Sequence, residues 1–341
     1  MARQVFRDFD EFADSISGVT GRYIPTARST QEWWIEAVRT ERLALQRLQV
    51  GGAATFAGDG AEGLLTLGIP TTDPAAIRID GHALTDRSFI LLKRDQPLTA
   101  SSHQPMRWVG VTVAEDWATA TWGLGGAMQR SGSSPGARMD SEPALLERVR
   151  SLVSRMCADD ETVNIVDPVR AHAAEEELLT AVSQLLLAST GASDRHVGRP
   201  QVSRGRVIAR CLELISERQG QPLFISDLCR VTQVSERTLR NIFQEYFGAA
   251  PMRLLLVRQL REIRSALLAA DPAEQTVTKV AARFGVWDFS LFARNYRALY
   301  GEAPSETLRG STGRHRSEAA LTATWIGYAS RRFASEPARN M

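Results

Sequence analysis

Two helix-turn-helix patterns stand in series in the C-terminal third of this chain, and no other feature restricts its fold as tightly. The first runs from Ser226-Asp227-Leu228 through Val234-Ser235-Glu236-Arg237-Thr238-Leu239-Arg240-Asn241-Ile242-Phe243. The second runs from Val277 through Phe284-Gly285-Val286-Trp287-Asp288-Phe289-Ser290-Leu291-Phe292-Ala293-Arg294-Asn295-Tyr296. Each reads as a short helix, a tight turn and a second helix whose exposed start is polar or basic. A helix of that kind enters the major groove of B-form DNA, and two on one chain reach two successive turns of one duplex face, about 34 Å apart.

The stretch between the motifs reads as a rigid spacer. Pro251 suits a first helical position, and from there to Ala269 the apolar residues Leu254, Leu255, Val257, Leu260, Ile263, Leu267 and Leu268 recur at helical spacing, with Arg253, Arg258, Arg261 and Arg264 between them. At 1.5 Å per residue such a helix is roughly 28 Å long. Within the first motif Ser235 is a good N-cap, and Leu239, Ile242 and Phe243 fall at i, i+3 and i+4 to face a core. That leaves Ser235, Arg237, Thr238, Arg240 and Asn241 toward a duplex. In the second, Asp288 caps a helix in which Leu291, Phe292 and Tyr296 are expected to point inward, leaving Trp287, Phe289, Ser290, Arg294 and Arg297 at its start or on its outer face. Free backbone N–H groups at each helix start favour a nearby phosphate. One arginine-bearing amphipathic helix alone is more commonly a solvated surface helix; two matched motifs with a spacer favour the DNA reading, and Trp287 and Phe289 keep packing as their alternative role.

Charge is divided in the same sense. Residues 199–309 hold 17 Lys plus Arg against 11 Asp plus Glu, a net of +6, and residues 310–341 add 5 against 2, whereas residues 1–198 hold 19 against 26, a net of −7. The overall net of +2 therefore conceals a basic C-terminal half joined to an acidic N-terminal one. Lys93 and Lys279 are the chain's lysines; the rest of the basic set is arginine, suited to bidentate recognition of guanine edges and phosphates. With 341 residues, 43% hydrophobic and 23% charged, there is room for two domains of an ordinary soluble protein. No stretch nears twenty apolar residues, the opening Met-Ala-Arg-Gln-Val-Phe-Arg-Asp has no signal-peptide core, and Cys157, Cys211 and Cys229 follow no disulfide or zinc spacing, so a cytoplasmic, nucleoid-associated protein without membrane contact is expected.

The N-terminal half reads as mainly β. Apolar runs stand at 43–50, 64–69, 77–79, 89–92 and 108–113, Asp80-Gly81 signals a hairpin turn, and Val109, Val111 and Val113 alternate with Gly110 and Thr112 as in a strand with one buried face. Before these strands a helix is expected from about Thr30, containing Trp33 and Trp34. After them come Ser-Gly-rich residues 131–136 and two helices, Pro143 to Met156 and Pro168 to Ser189. Gly123-Leu124-Gly125-Gly126 is too short for a dinucleotide loop and reads as the end of a strand.

From about Gly205 to Arg309 the chain resembles the AraC/XylS family of bacterial transcription regulators. The resemblance is carried by Asp227-Leu228, Val234-Ser235, Thr238-Leu239, Phe243, Gly248, Pro251, the arginine-rich spacer, Val280-Ala281, Phe284-Gly285, Phe292, Tyr296, Tyr300-Gly301 and Pro304. Asp227-Leu228-Cys229, Arg237-Thr238-Leu239, Asn241, Trp287, Phe292-Ala293 and Tyr296 look like the branch containing ethanolamine-operon regulators. Asn241 and Val286 depart from the pattern, which usually has Arg and Phe there.

The resemblance implies an α+β chain: a cupin-like β-barrel with flanking helices that binds an effector or dimerises (1–190), a linker (191–204), an all-α DNA-binding domain of two helix-turn-helix units joined by a spacer helix (205–309) and a basic tail (310–341). It implies an activator of transcription with promoter DNA, RNA polymerase, a homodimer partner and a small-molecule effector as its partners. Trp33, Trp34, Phe56, Trp108 and Trp122 are the candidates to line an effector pocket, with plain core packing as their alternative. Cupin enzymes gather closely spaced histidines and a carboxylate on one metal ion; His82 and His103 are the histidines of this region and form no such pair. No nucleophile triad, phosphate loop or paired-carboxylate motif is present, so no enzyme, cofactor or metal is expected. Two alternatives to an effector-gated regulator stay open: an N-terminal domain that only mediates dimerisation, and a cupin-type metal enzyme fused to a DNA-binding domain.

Overall fold

The computed structural model describes residues 3–6, 8–94, 98–122, 138–157, 168–191, 204–218 and 221–310. Its N-terminal half is built on two antiparallel sheets. The first, eight-stranded, runs β1 (Gln4–Phe6), β3 (Trp33–Arg39), β4 (Leu43–Val50), β11 (Met106–Ala114), β6 (Leu64–Pro70), β9 (Ser88–Leu92), β12 (Arg138–Asp140) and β13 (Thr190–Gly191). The second, five-stranded, runs β2 (Val19–Pro25), β5 (Ala54–Gly60), β10 (Leu98–Ser102), β7 (Ile77–Ile79) and β8 (His82–Ala83). Asp80 and Gly81 join β7 to β8 with φ of 53° and 86°, the doubly left-handed pair that a two-residue hairpin turn demands.

Side-chain alternation sends strands β3, β4, β9 and β11 of the large sheet to two different cores. On one face Leu43, Leu45, Leu65, Leu67, Ile69, Phe89, Leu91, Val109, Val111 and Val113 pack beneath helices α3 (Pro143–Cys157) and α4 (Pro168–Leu187), through Leu146, Val149, Val153, Leu178 and Val182. On the other face Leu48, Val50, Ile90, Leu92, Met106 and Trp108 meet Tyr23, Phe56, Ile77, Ile79 and Leu98 of the small sheet, closed at one end by Phe12 of α1 (Phe9–Asp14). Both faces of β11 are thus covered, where the Val-Gly-Val-Thr-Val alternation implies one. The sheets share this inner core but not a ladder: each strand order is linear with free ends, so among the described residues they form open facing layers and not the expected closed barrel.

Trp33 and Trp34 correct a second expectation. They begin β3, not a helix, paired to β1 on one side and β4 on the other. Bulky β-formers flanked by two partner strands gain more from ladder and cross-strand contacts than from an isolated helix. The expected helices 143–156 and 168–189 agree with α3 and α4 to within a residue or two. Residues 115–122 form α2 (Glu115–Trp122), while 123–126 and 131–136 lie outside the described residues, as do 192–203 of the linker and the tail from 311 onward.

The C-terminal half consists of α5 (Arg204–Glu217), α6 (Ile225–Thr232), α7 (Glu236–Phe247), α8 (Pro251–Leu268), α9 (Val277–Arg283), α10 (Phe289–Tyr300) and α11 (Pro304–Gly310). Its core gathers Ile208, Leu212, Leu228, Leu239, Phe243, Leu260, Ile263, Leu267, Val280, Ala281 and Tyr296, each burial of a large apolar side chain stabilising by roughly 1.5–3 kcal/mol. The same core takes in Ile24 and Ala57 from the small sheet, so the halves are packed together. Two polar links fix the seam: Thr55 Oγ1 donates to Phe247 O at 2.8 Å, and Arg253 Nε donates to Thr26 O at 2.7 Å.

Candidate nucleic-acid interface

Local chemistry builds each helix-turn-helix. In the first, the Asp227 carboxylate reaches back to the Phe224 N–H at 3.1 Å, closing the start of α6, and Gln233 ends that helix in the left-handed region at φ 57°. The backbone hydrogen bond from Phe224, helped by Arg230, holds the Asp227 carboxyl below the usual carboxylate range. Ser235 Oγ then accepts the Thr238 N–H at 3.2 Å and caps α7. In the second, Thr276 caps α9, Gly285 makes the turn at φ 78°, and Asp288 Oδ1 accepts the Leu291 N–H at 2.8 Å to cap α10. A side chain at Gly285 would also press on Pro222, whose Cγ stands 2.9 Å from an ideal Cβ.

Both second helices divide cleanly. Leu239, Ile242 and Phe243 are buried beneath α7, while Ser235, Arg237, Thr238, Arg240 and Asn241 are exposed. Phe292 and Tyr296 are buried beneath α10, while Trp287, Phe289, Ser290, Arg294 and Arg297 are exposed. Trp287 is 88% exposed, so packing does not account for it. Leu291 corrects the inward reading: it is 43% exposed, one position off the buried stripe, and joins Trp287 and Phe289 in an apolar start to α10. Arg240 Nη2 donates to Glu236 Oε1 at 2.7 Å, one turn earlier on the same exposed face.

Sequence reasoning passed over two cations that stand in equivalent places. Arg230 and Arg283 lie in the last turns of α6 and α9, the first helices of the two motifs, and both are exposed. First helices cross the phosphate backbone while second helices enter the groove; a basic residue repeated at the end of each was the signal available. The spacer α8 is 18 residues, about 27 Å long at 1.5 Å per residue. Its arginines are less solvated than their sequence alternation implies: the side chains of Arg258 and Arg264 are 11% and 16% exposed.

The five aromatic effector candidates are dispersed. Phe56 and Trp108 line a small pocket between the two sheets, together with Tyr23, Leu48, Met106 and Gln46. Trp33 packs in the same core against Phe12 and Tyr23 without lining that cavity. Trp34 lies beneath the Arg3 guanidinium, 4.2 Å from its ring, and Trp122 packs on Trp117 at the opposite face of the large sheet. Elsewhere Glu41, His172 and Glu175 bring ligating atoms within 4.8 Å, but Glu175 Oε1 already accepts the Thr40 hydroxyl and the Arg42 N–H.

Residues 228–310 match the sequence model of a family described as "Helix-turn-helix domain". They are a helix-turn-helix domain. The "Probable thc operon regulatory protein" of Rhodococcus erythropolis is 32% identical over 128 residues, 38% of this chain and 39% of its own length. The "XylDLEGF operon transcriptional activator" of Pseudomonas putida is 28% identical over 160 residues, 47% of each chain. Among solved structures, "a probable AraC family transcriptional regulator from Rhodopseudomonas palustris" is 32% identical, covering 31% of this chain and 96% of that one, with a TM-score of 0.29. The matched stretch thus spans less than half the length of these two curated relatives. Among the described residues no helix is long and apolar enough to cross a membrane.

Proposed function

We propose that this chain is a sequence-specific DNA-binding activator of transcription that reads two successive major-groove segments. The observation that carries the reading is the paired division of α7 and α10: each buries its apolar stripe in one shared core and leaves a capped, polar or basic face outward, with the rigid α8 between them. Arg237, Arg240 and Asn241 on α7 and Ser290 and Arg294 on α10 are assigned to base edges, with Trp287 and Phe289 contacting thymine methyl groups. Ser235, Thr238 and Arg297, with Arg230 and Arg283, are assigned to phosphates. Residues 205–309 form the DNA-binding domain. Residues 1–190 form the domain that senses a small molecule and pairs with a second copy, and RNA polymerase is the partner through which output is read. Its relatives' names support the activator assignment; the ethanolamine-regulator branch rests on the motif residues around Asp227, Asn241 and Trp287.

Selection of duplexes from a random pool by the full chain tests this. Enrichment of a site with two conserved blocks, bound far more tightly than scrambled DNA at physiological salt, supports it. Recovery of no motif, with binding that depends on salt alone, would overturn it.

A further inference from the structure

The two helix-turn-helix units are joined by more than the covalent spacer. Two adjacent residues of α8 each hold the C-terminal end of a helix, one from either unit. Arg258 Nη2 donates at 2.6 Å to Arg218 O, the carbonyl just past the end of α5. Gln259 Nε2 donates at 2.8 Å to Phe284 O, the carbonyl that closes α9. Successive residues on a helix point about 100° apart, so one step along α8 reaches both neighbours. Arg258 is steadied in turn by Glu262 one turn on, at 2.9 Å. A third contact is direct. Gly285, the turn residue of the second motif, lies against Pro222 in the segment between α5 and α6, with Pro222 Cγ 2.9 Å from an ideal Cβ at Gly285. Leu223 and Phe284, the next residue on either side of that contact, both pack on the shared core.

The last carbonyls of a helix have no partner within it, so a side-chain donor placed on one both satisfies it and locates that helix end. The length of α8 sets how far apart the two units lie. It does not set the direction of α10, because residues 269–276 join α8 to α9 through an irregular segment. Gln259 and Pro222 remove that freedom: they hold Phe284 and Gly285, the turn from which α10 departs. Direction matters on a duplex, where one base pair moves a site by about 3.4 Å and turns it by about 35°. We propose that this junction sets the base-pair separation the chain demands between its two sites, with Gln259 and Pro222 as positioning residues acting through the turn of the second motif. The proposal rests on the two-groove reading and assigns its spacing to particular contacts.

Binding of the full chain to a duplex series tests the junction. Each duplex carries the two selected blocks at the selected separation, or one or two base pairs nearer or farther. The parent is expected to lose about 10-fold or more in Kd for one base pair of displacement, since one block then loses its base contacts. Gln259→Leu keeps the bulk and removes the donor; it is expected to cut that penalty to about 3-fold or less while the base preference within each block stays as in the parent. Pro222→Ala, at an exposed site, is expected to lower the penalty in the same direction and keeps the test open if Gln259→Leu does not unfold cooperatively. Ile208→Val loosens the buried core away from the junction and is expected to leave the penalty unchanged. A reduced penalty in either junction variant alone supports the proposal. A parent indifferent to separation, a penalty kept by both junction variants, or one lowered equally by Ile208→Val would each overturn it. Selection that yields no two-block site is a failure of the two-groove reading itself; a steep penalty kept by both variants is a failure of the junction alone.

Discussion

Arg240 is the side chain whose loss should be most informative. It is exposed on α7, 61% accessible, and its guanidinium is held by Glu236 one turn back, itself 54% accessible. A pair that exposed contributes under about 1 kcal/mol to folding, so Arg240→Ala should leave unfolding almost unchanged. Its cost on DNA is larger: a bidentate arginine contact to a guanine edge is worth about 1–3 kcal/mol of discrimination. Because Arg240 must first release or share Glu236, we expect the lower part of that range, about 1–2 kcal/mol, or roughly 5- to 30-fold in Kd. Glu236→Ala is the companion variant. It removes a carboxylate from a face that approaches phosphates and frees Arg240, so it should tighten binding to selected and scrambled duplexes alike. Fluorescence anisotropy with both duplexes at fixed salt measures both effects. Equal weakening of Arg240→Ala on selected and scrambled DNA would show that Arg240 contributes charge without reading sequence, and the reasoning above would fail.

Other consequences follow from the same contacts. Asp288→Ala removes the acceptor that caps α10 and should cost about 1 kcal/mol in chemical denaturation; Asp288→Asn or Ser should restore most of it, and an Ala variant as stable as the parent would remove the cap from the account. Asp227 titrates below its ordinary value when folded, so its contribution is fully present above the unfolded aspartate value near about 3.9 and is lost as pH falls through the lower folded value. Asp227→Asn should therefore flatten the acid limb of stability against pH in that window, and an unaltered limb would contradict it. Burial pushes the thiols of Cys157 and Cys211 up to about 12, while Cys229 is half-buried and raised less far. Native protein at pH 8 should react with a thiol reagent at Cys229 first, and three thiols labelled at one rate would mean the cores are open.

The helical half was legible because its signals are local. Ser235 and Asp288 lie directly before the helices they cap, the apolar stripes of α7 and α8 follow helical spacing, and Asp80-Gly81 announces its own turn. Leu291 was misjudged because it sits at the margin of the stripe, where the tilt of α10 against its neighbours decides exposure. What was not legible depends on partners far away in sequence. Trp33 and Trp34 become strand only because β1 and β4 flank them, and the open, two-layer arrangement follows from strand pairings that no short window contains. In sequence the arginines of α8 only alternate with its apolar stripe; that Arg264 comes within 3.7 Å of Asp8 in the sheet half depends on how the halves pack. Thr55 and Arg253 carried no sequence signal for the seam, since their partners are the backbone carbonyls of Phe247 and Thr26.

The central claim is that one chain places two helices in two successive grooves, and guanine methylation protection on the selected duplex measures this directly. With the full chain bound, two clusters of protected major-groove guanine N7 positions are expected on one face, about 10 bp apart, as a spacer helix near 27 Å and one helical repeat require. Arg240→Ala should erase protection in one cluster and Arg294→Ala in the other. A single protected cluster, or two clusters that fade together in either variant, would contradict the account.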